Sequence, residues 1–190
     1  ELSTVFTRLK PDIVVVHGDR YESLAVAVTA SMLNIHLAHI EGGELSGSID
    51  GIIRHSITKL SNTHFVSNEE SKKIIEDMGV WSDKIFNVGC PGSDRLIETP
   101  VMGIAETISR INHDLVKSNI KILNSDYILI IQHSVTTEYS QAGKQVIEIL
   151  EALKAYEQQF IFIYPNIDPG DTQINQIYRS HQVMKQKKVK

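Results

Sequence analysis

Short runs of consecutive apolar residues alternate along the chain with longer segments in which apolar positions recur every three or four residues. Residues 13–17, Ile-Val-Val-Val-His, form the first such run behind Lys10-Pro11-Asp12, and this pattern predicts a strand buried on both faces. Residues 21–33 then set Leu24, Ala25, Ala27, Val28 and Met32 at helical spacing, with Asn34 where the helix should end. Residues 35–40 read as the second strand. The order strand, crossover helix, strand requires a right-handed parallel βαβ unit. A Gly-rich loop from Glu41 leads into a helix carrying Ile52, Ile53, Ile57 and Leu60, followed by a short strand over 64–66. Ser67-Asn-Glu-Glu70 has capping-box spacing, opening a helix that runs to Met78 and stops at Gly79. Residues 85–88 make a fourth strand, and Gly89-Cys-Pro-Gly92 turns the chain.

Beyond this point the periodicity weakens, and residues 97–126 read as a helical connector. A new buried strand over 127–132 begins a second α/β unit near Asp126, continued by an amphipathic helix over 142–158 and a strand over 160–164. A turn over 165–170 and a last helix over 172–184 complete it. The alternation predicts an α/β class with doubly wound, Rossmann-like parallel sheets. No internal repeat or low-complexity segment interrupts it.

Composition narrows the class further. With 190 residues, 42% of them hydrophobic, the chain can bury a substantial core. A formal net charge of −4 with interspersed signs makes nucleic acid and anionic membrane poor partners. One cysteine, Cys90, allows no internal disulfide or multi-thiolate metal site, which points to a reducing compartment such as the cytoplasm. No apolar stretch has the length of a membrane span, and no leader is evident. The start at Glu1 and the basic end, Lys185 to Lys190, suggest a piece of a longer protein.

Candidate chemistry gathers at the predicted strand exits. In open parallel sheets ligands bind outside the carboxyl ends of the strands. Asp19, in His17-Gly18-Asp19-Arg20, and Glu41, in His39-Ile40-Glu41-Gly42-Gly43, occupy that edge on consecutive strands, and Asp50 closes the Gly-rich loop. Convergent carboxylates are acid/base equipment. Each has a structural alternative. Asp19 is placed to cap the helix near Tyr21, and Asp50 to cap its own helix or pair with Arg54 four residues on. Glu41 has fewer alternatives, since Gly42 and Gly43 suggest a close backbone approach that leaves its carboxylate unshielded. His36 and His39, three apart on a strand, face opposite ways and cannot share a metal, so no metal site is expected. His17 and His39 read as packed strand-end residues. His133, followed by Ser134 and Thr136 at a second strand's carboxyl edge, suits phosphate, though a hydrogen-bonded structural histidine is the alternative. The glycines match neither the Walker A pattern nor G-x-G-x-x-G, and no G-x-S-x-G elbow is present.

Five ordered motifs resemble one family. His17-Gly18-Asp19-Arg20, His39-Ile40-Glu41-Gly42-Gly43-Glu44, Ser46-Gly47-Ser48-Ile49-Asp50 with Arg54 to Leu60, Gly89-Cys90-Pro91, and Gln132-His133-Ser134-Val135-Thr136-Thr137 together resemble the UDP-N-acetylglucosamine 2-epimerase family. They look most like its hydrolysing branch, which supplies N-acetylmannosamine-type sugars for sialic and related nonulosonic acids. One departure is Ser134, where the family usually has Pro after Gln-His. The resemblance implies a GT-B arrangement of two Rossmann-like domains. On that map residues 1–96 are the later part of the first domain, 97–125 the connector, and 126–190 the opening of the UDP-binding domain.

The family's hydrolysing reaction begins with anti elimination of UDP, giving 2-acetamidoglucal, and ends with hydration of that double bond. Matching positions implies Asp19, Glu41 and Asp50 as catalytic residues, with Glu41 in the elimination and Asp19 with Asp50 in the hydration. The same matching implies Arg20, Arg54, His133, Ser134 and Thr136 as substrate-binding residues. The resemblance also implies a UDP-sugar as partner, no cofactor, and a homo-oligomer at full length. UDP-N,N'-diacetylbacillosamine is an alternative substrate. A non-hydrolysing epimerase and a catalytically silent module are further alternatives; residues 132–137, unlike the non-hydrolysing branch's Arg-rich segment, and the short loop at Ile49-Asp50 favour hydrolysis.

Overall fold

The computed structural model describes residues 1–117 and 127–180. The chain divides into two compact units, Glu1–Thr99 and Pro100–Lys190. Both are parallel α/β units, as the alternating pattern predicts.

In the first unit a short helix α1 (Leu2–Leu9) precedes β1 (Ile13–His17), α2 (Tyr21–Met32), β2 (His36–Ile40) and α3 (Ile49–Leu60). The unit continues through β3 (Thr63–Val66), α4 (Glu69–Asp77), a 3-10 turn at Ser82–Lys84, β4 (Ile85–Asn87) and α5 (Pro91–Glu98). The four strands pair in parallel in chain order, β1-β2-β3-β4, with His17 opposite Ile40 and His39 opposite His64. Because register neighbours share a face of the pleat, Val14, Val16 and Leu37 lie together. They pack with Ala27, Ala30 and Ile57 from the crossover helices into one core, and Val66, Ile75 and Ile85 form a second.

Burying each of the Val, Leu and Ile side chains among them stabilises the fold by about 1.5–3 kcal/mol. The opposite face of β1 is different. Ile13 and Val15 are more than half exposed, so β1 is buried on one face and not on both. The apolar run could not reveal this, because β1 is the edge of the described sheet and only one side carries helices.

Local differences from the sequence pattern have local causes. Asn68, not Ser67, caps α4, its side chain accepting from the Ser71 N–H at 2.8 Å, because Ser67 is drawn to Glu44. The turn at 89–92 is instead the entry to α5. Pro91 occupies its first turn, where a missing N–H costs nothing. Asn34 does end α2, in the left-handed region at φ 56°.

The second unit contains α6 (Ile104–Lys117), β5 (Tyr127–Ile131), a 3-10 segment Thr136–Gln141, α7 (Ala142–Leu153), β6 (Gln159–Ile163) and α8 (Asp171–Ser180). β5 and β6 pair in parallel, and their Ile130, Phe160 and Phe162 close on Val146 and Leu150 of α7 and on Ile174 and Tyr178 of α8. α7 ends at Leu153, five residues before the sequence pattern predicts. The expected continuation of the last helix over 181–184 lies outside the described residues, as does the connector over 118–125. Among the described residues no helix is long and apolar enough to cross a membrane.

Candidate active site

All four strands of the first unit deliver a polar group at their carboxyl ends. β1 supplies His17 and Asp19, β2 supplies Glu41 and Glu44, β3 is followed by Ser67, and β4 by Cys90. Two hydrogen-bonded clusters result.

Glu41 centres the first cluster. Its Oε2 lies 2.5 Å from His17 Nε2, and its Oε1 accepts from the Cys90 thiol at 3.1 Å. The carboxylate is therefore not unshielded; its side chain is 19% exposed, with a partner on each oxygen. Burial alone would raise the Glu41 pKa. Hydrogen bonds from Cys90 and His17, with the charges of His17 and Arg54, outweigh it and hold the carboxyl below its ordinary value.

Gly42 and Gly43 are explained by packing within the chain. A Cβ on Gly42 would stand 2.8 Å from His39 Nδ1, and one on Gly43 would stand 2.3 Å from the Ser71 carbonyl oxygen. Gly43 also sits at φ 82°, which side-chain-bearing residues avoid. The loop that aims Glu41 is thus clamped between β2, α3 and α4.

Arg54 centres the second cluster. One terminal nitrogen, Nη2, pairs with Asp19 Oδ2, while Nη1 donates to the Glu44 carbonyl at 3.2 Å and lies 3.6 Å from its carboxylate. Ser67 donates to the other Glu44 oxygen at 2.6 Å. Asp19 is accordingly not the cap of α2; that position is Arg20, with no side-chain capping bond. Asp50 lies in the first turn of α3. There Ser48 is the cap, accepting from the Asp50 N–H and donating to its Oδ2 at 2.6 Å. The bonds Arg54 makes run to Asp19 and Glu44, not to Asp50 as the i,i+4 alternative required.

His39 stands behind both clusters. It is fully buried, donating from Nε2 to the Gly18 carbonyl at 2.8 Å and accepting at Nδ1 from the Thr58 hydroxyl at 3.1 Å. Burial lowers its pKa to about 4, so it is neutral, the state this bonding pattern requires. His39 is the packed histidine the sequence predicts. His17 is not: it is largely exposed and hydrogen-bonded to Glu41.

Of the other sequence-derived candidates, Arg20 lies in the first unit and His133, Ser134 and Thr136 lie in the second. Arg20 pairs with Glu22 at 3.3 Å and lies over the Tyr21 ring. His133, Ser134 and Thr136 belong to the second unit, past the carboxyl end of β5. There His133 Nδ1 accepts from the Asn166 N–H and Ser134 donates to the Pro169 carbonyl, while Thr136 Oγ1 is buried without a partner among the described residues. Sequence reasoning missed His17, Glu44, Ser67 and Cys90 as members of the site. The signal was available for Cys90, which follows a strand at the same edge that drew attention to Asp19.

A family model described as UDP-N-acetylglucosamine 2-epimerase matches residues 1–189, nearly the whole chain. The chain belongs to the UDP-N-acetylglucosamine 2-epimerase family. It is 35% identical over 177 residues to the UDP-N,N'-diacetylbacillosamine 2-epimerase (hydrolyzing) of Legionella pneumophila, covering 93% of this chain and 45% of that protein. It is also 35% identical over 175 residues to the UDP-N-acetylglucosamine 2-epimerase of Neisseria meningitidis serogroup B, covering 92% of this chain and 44% of that protein. The chain thus spans about half the length of these family members. Its fold matches the crystal structure of UDP-GlcNAc 2-epimerase from Neisseria meningitidis bound to UDP-GlcNAc, with a TM-score of 0.67 at 24% identity, over 94% of this chain and 49% of that one. This likeness places the two parallel α/β units among the GT-B-like 2-epimerases.

Proposed function

We propose that the protein acts as a hydrolysing UDP-N-acetylglucosamine 2-epimerase, converting UDP-GlcNAc and water to N-acetylmannosamine and UDP. The observation that carries this reading is the Glu41 carboxylate at the carboxyl edge of a parallel sheet, with a partner on each oxygen, and the Arg54–Asp19 pair after a strand of the same sheet. An ionised carboxylate is a base ready at neutral pH.

In the elimination, Glu41 takes the C2 proton, the C2–H electron pair becomes the C1–C2 double bond, and the C1–O bond to UDP breaks with its electrons leaving on the diphosphate. In the hydration, a water molecule gives hydroxyl to C1 and the glycal receives a proton at C2 on the opposite face. Asp19 and Asp50 are assigned to activate that water and return that proton. Arg54 holds Asp19 in place and supplies positive charge to the same edge, where charge develops on the departing diphosphate. Arg20, His133, Ser134 and Thr136 are assigned to substrate binding. The scheme uses side-chain acids and bases alone.

The kinship with the Legionella enzyme favours a second reading of the same chemistry, with UDP-N,N'-diacetylbacillosamine as substrate. Each UDP-sugar is supplied to the natural gene product and followed by proton NMR. Release of free 2-epimerised sugar with UDP supports hydrolysis, whereas a UDP-linked epimer shows the non-hydrolysing reaction. Glu41→Gln lowers turnover by roughly two to four orders of magnitude, the scale of losing a general acid or base. Turnover like wild type in that variant would remove Glu41 from the scheme.

A further inference from the structure

Four side chains outside the assigned catalytic carboxylates touch them: His17 and Cys90 on Glu41, Arg54 on Asp19, and Ser48 on Asp50. His17 stands apart because it is both exposed and directly bonded to a reacting carboxylate. Its side chain is 57% exposed, so its removal empties no core. No other hydrogen bond of its ring is recorded among the described residues, whereas the ring of His39, one strand over, is fixed from both sides.

Strand register explains the meeting. His17 is the last residue of β1 and pairs with Ile40, the last residue of β2, so the side chain leaving β1 lies alongside the residue that follows Ile40. Glu41 adopts φ 59°, in the left-handed region that non-glycine residues rarely occupy. That backbone bend turns its carboxylate towards β1 and β4. The position is strained by about 1 kcal/mol or more unless surrounding contacts hold it.

We propose that His17 is the positioning residue for Glu41, its Nε2 fixing Oε2 while the Cys90 thiol fixes Oε1, so that the carboxylate presents one orientation. The inference rests on Glu41 being the base of the proposed elimination. A carboxylate with a donor on each oxygen cannot rotate, and both donors favour its charged form. The titratable and charged groups facing Glu41 are His17 from β1, Cys90 after β4 and Arg54 from α3. Of these, His17 is the most exposed, and changing it leaves the Arg54–Asp19 pair in place.

The test has one arm that needs no substrate. The Glu41 carboxyl is titrated by carbon-13 NMR in the 190-residue chain, its signal assigned by its loss in Glu41→Gln. His17→Ala is expected to raise the midpoint by about one pH unit, the scale of one lost favourable partner. His17→Gln, whose amide reaches the place of Nε2, is expected to restore most of that shift. In the natural gene product, His17→Ala lowers kcat about tenfold, leaves KM unchanged and moves the acid limb of the kcat profile to higher pH; His17→Gln recovers most of the lost kcat. An unmoved Glu41 midpoint in His17→Ala overturns the proposal, as does a raised midpoint with unchanged kcat. A wild-type gene product inactive on both UDP-sugars would refute the epimerase reading instead, and the titration alone would then decide whether His17 governs Glu41.

Discussion

Replacing His64 with leucine should make the protein less sensitive to acid. His64 lies on β3, fully buried, with neither ring nitrogen hydrogen-bonded among the described residues, and burial lowers its pKa to about 4. In the unfolded chain its pKa returns to about 6.5. The folded state therefore binds fewer protons than the unfolded one wherever the pH lies below that value. Stability is complete above about pH 6.5 and is lost as pH falls towards 4. A shift of this size corresponds to about 3 kcal/mol when fully expressed and to about 2 kcal/mol at pH 5.

Leucine, of similar volume, abolishes this loss and removes a buried ring whose polar atoms lack partners, so stability at pH 7 should hold or rise. Urea unfolding followed by far-UV circular dichroism at pH 7 and pH 5 measures the difference. Trp81 is too exposed to report on this core by fluorescence. With a urea slope of about 1–3 kcal/mol/M, the variant should lose roughly 1 M less in midpoint than wild type between the two pH values. Carboxylate terms are common to both proteins and cancel in the comparison. Equal losses in the two proteins would refute the account of His64.

Gly43→Ala combines a left-handed backbone with a Cβ placed 2.3 Å from the Ser71 carbonyl oxygen; a cost of about 3 kcal/mol follows, lowering the melting temperature of the first unit by on the order of 10 °C. An unchanged melt would show that the loop is free to move away from α4. Arg54→Met leaves Asp19 and Glu44 without their shared cation. It should destabilise by about 2 kcal/mol, less than a fully buried pair would because both carboxylates retain some exposure; a double-mutant cycle with Asp19→Asn measures the coupling, and zero coupling would count against the pair. Cys90→Ser keeps a donor for Glu41 Oε1, whereas Cys90→Ala removes it. The alanine variant should lose about tenfold in kcat/KM and the serine variant clearly less; equal losses would show that the thiol does not act through that hydrogen bond.

The strands are readable because β1 and β5 are apolar runs and the shorter strands fall between helical segments with turn residues, and the carboxyl edge follows from their parallel order. What stayed hidden was pairing between segments. His17 looked like a packed strand end because nothing near it in sequence says that β1 is an edge or that Glu41 bends back towards it. Cys90 lies 49 residues from Glu41 and reaches it only through the placement of β4. Ser67 had the right spacing to cap α4 but is drawn to Glu44, so a tertiary partner overrode a local preference. Gly42 and Gly43 do mark a close approach, and the approaching atoms belong to His39, Thr58 and α4.

The strand exits carry a consequence for how the chain folds. Hydrogen bonds that build the site join residues 24, 35, 23 and 49 positions apart, spanning β1 to the segment after β4. Local helices and the β1–β2 pairing can form without completing it. Glu41 gains its full set of partners only when the last strand docks, and loop-closure entropy makes that contact among the later ones. The titration of a single carboxyl thus reports on assembly of the whole four-stranded unit, and a chain trapped with β4 undocked would keep most of its secondary structure while lacking the Cys90 thiol that helps to lower the Glu41 pKa.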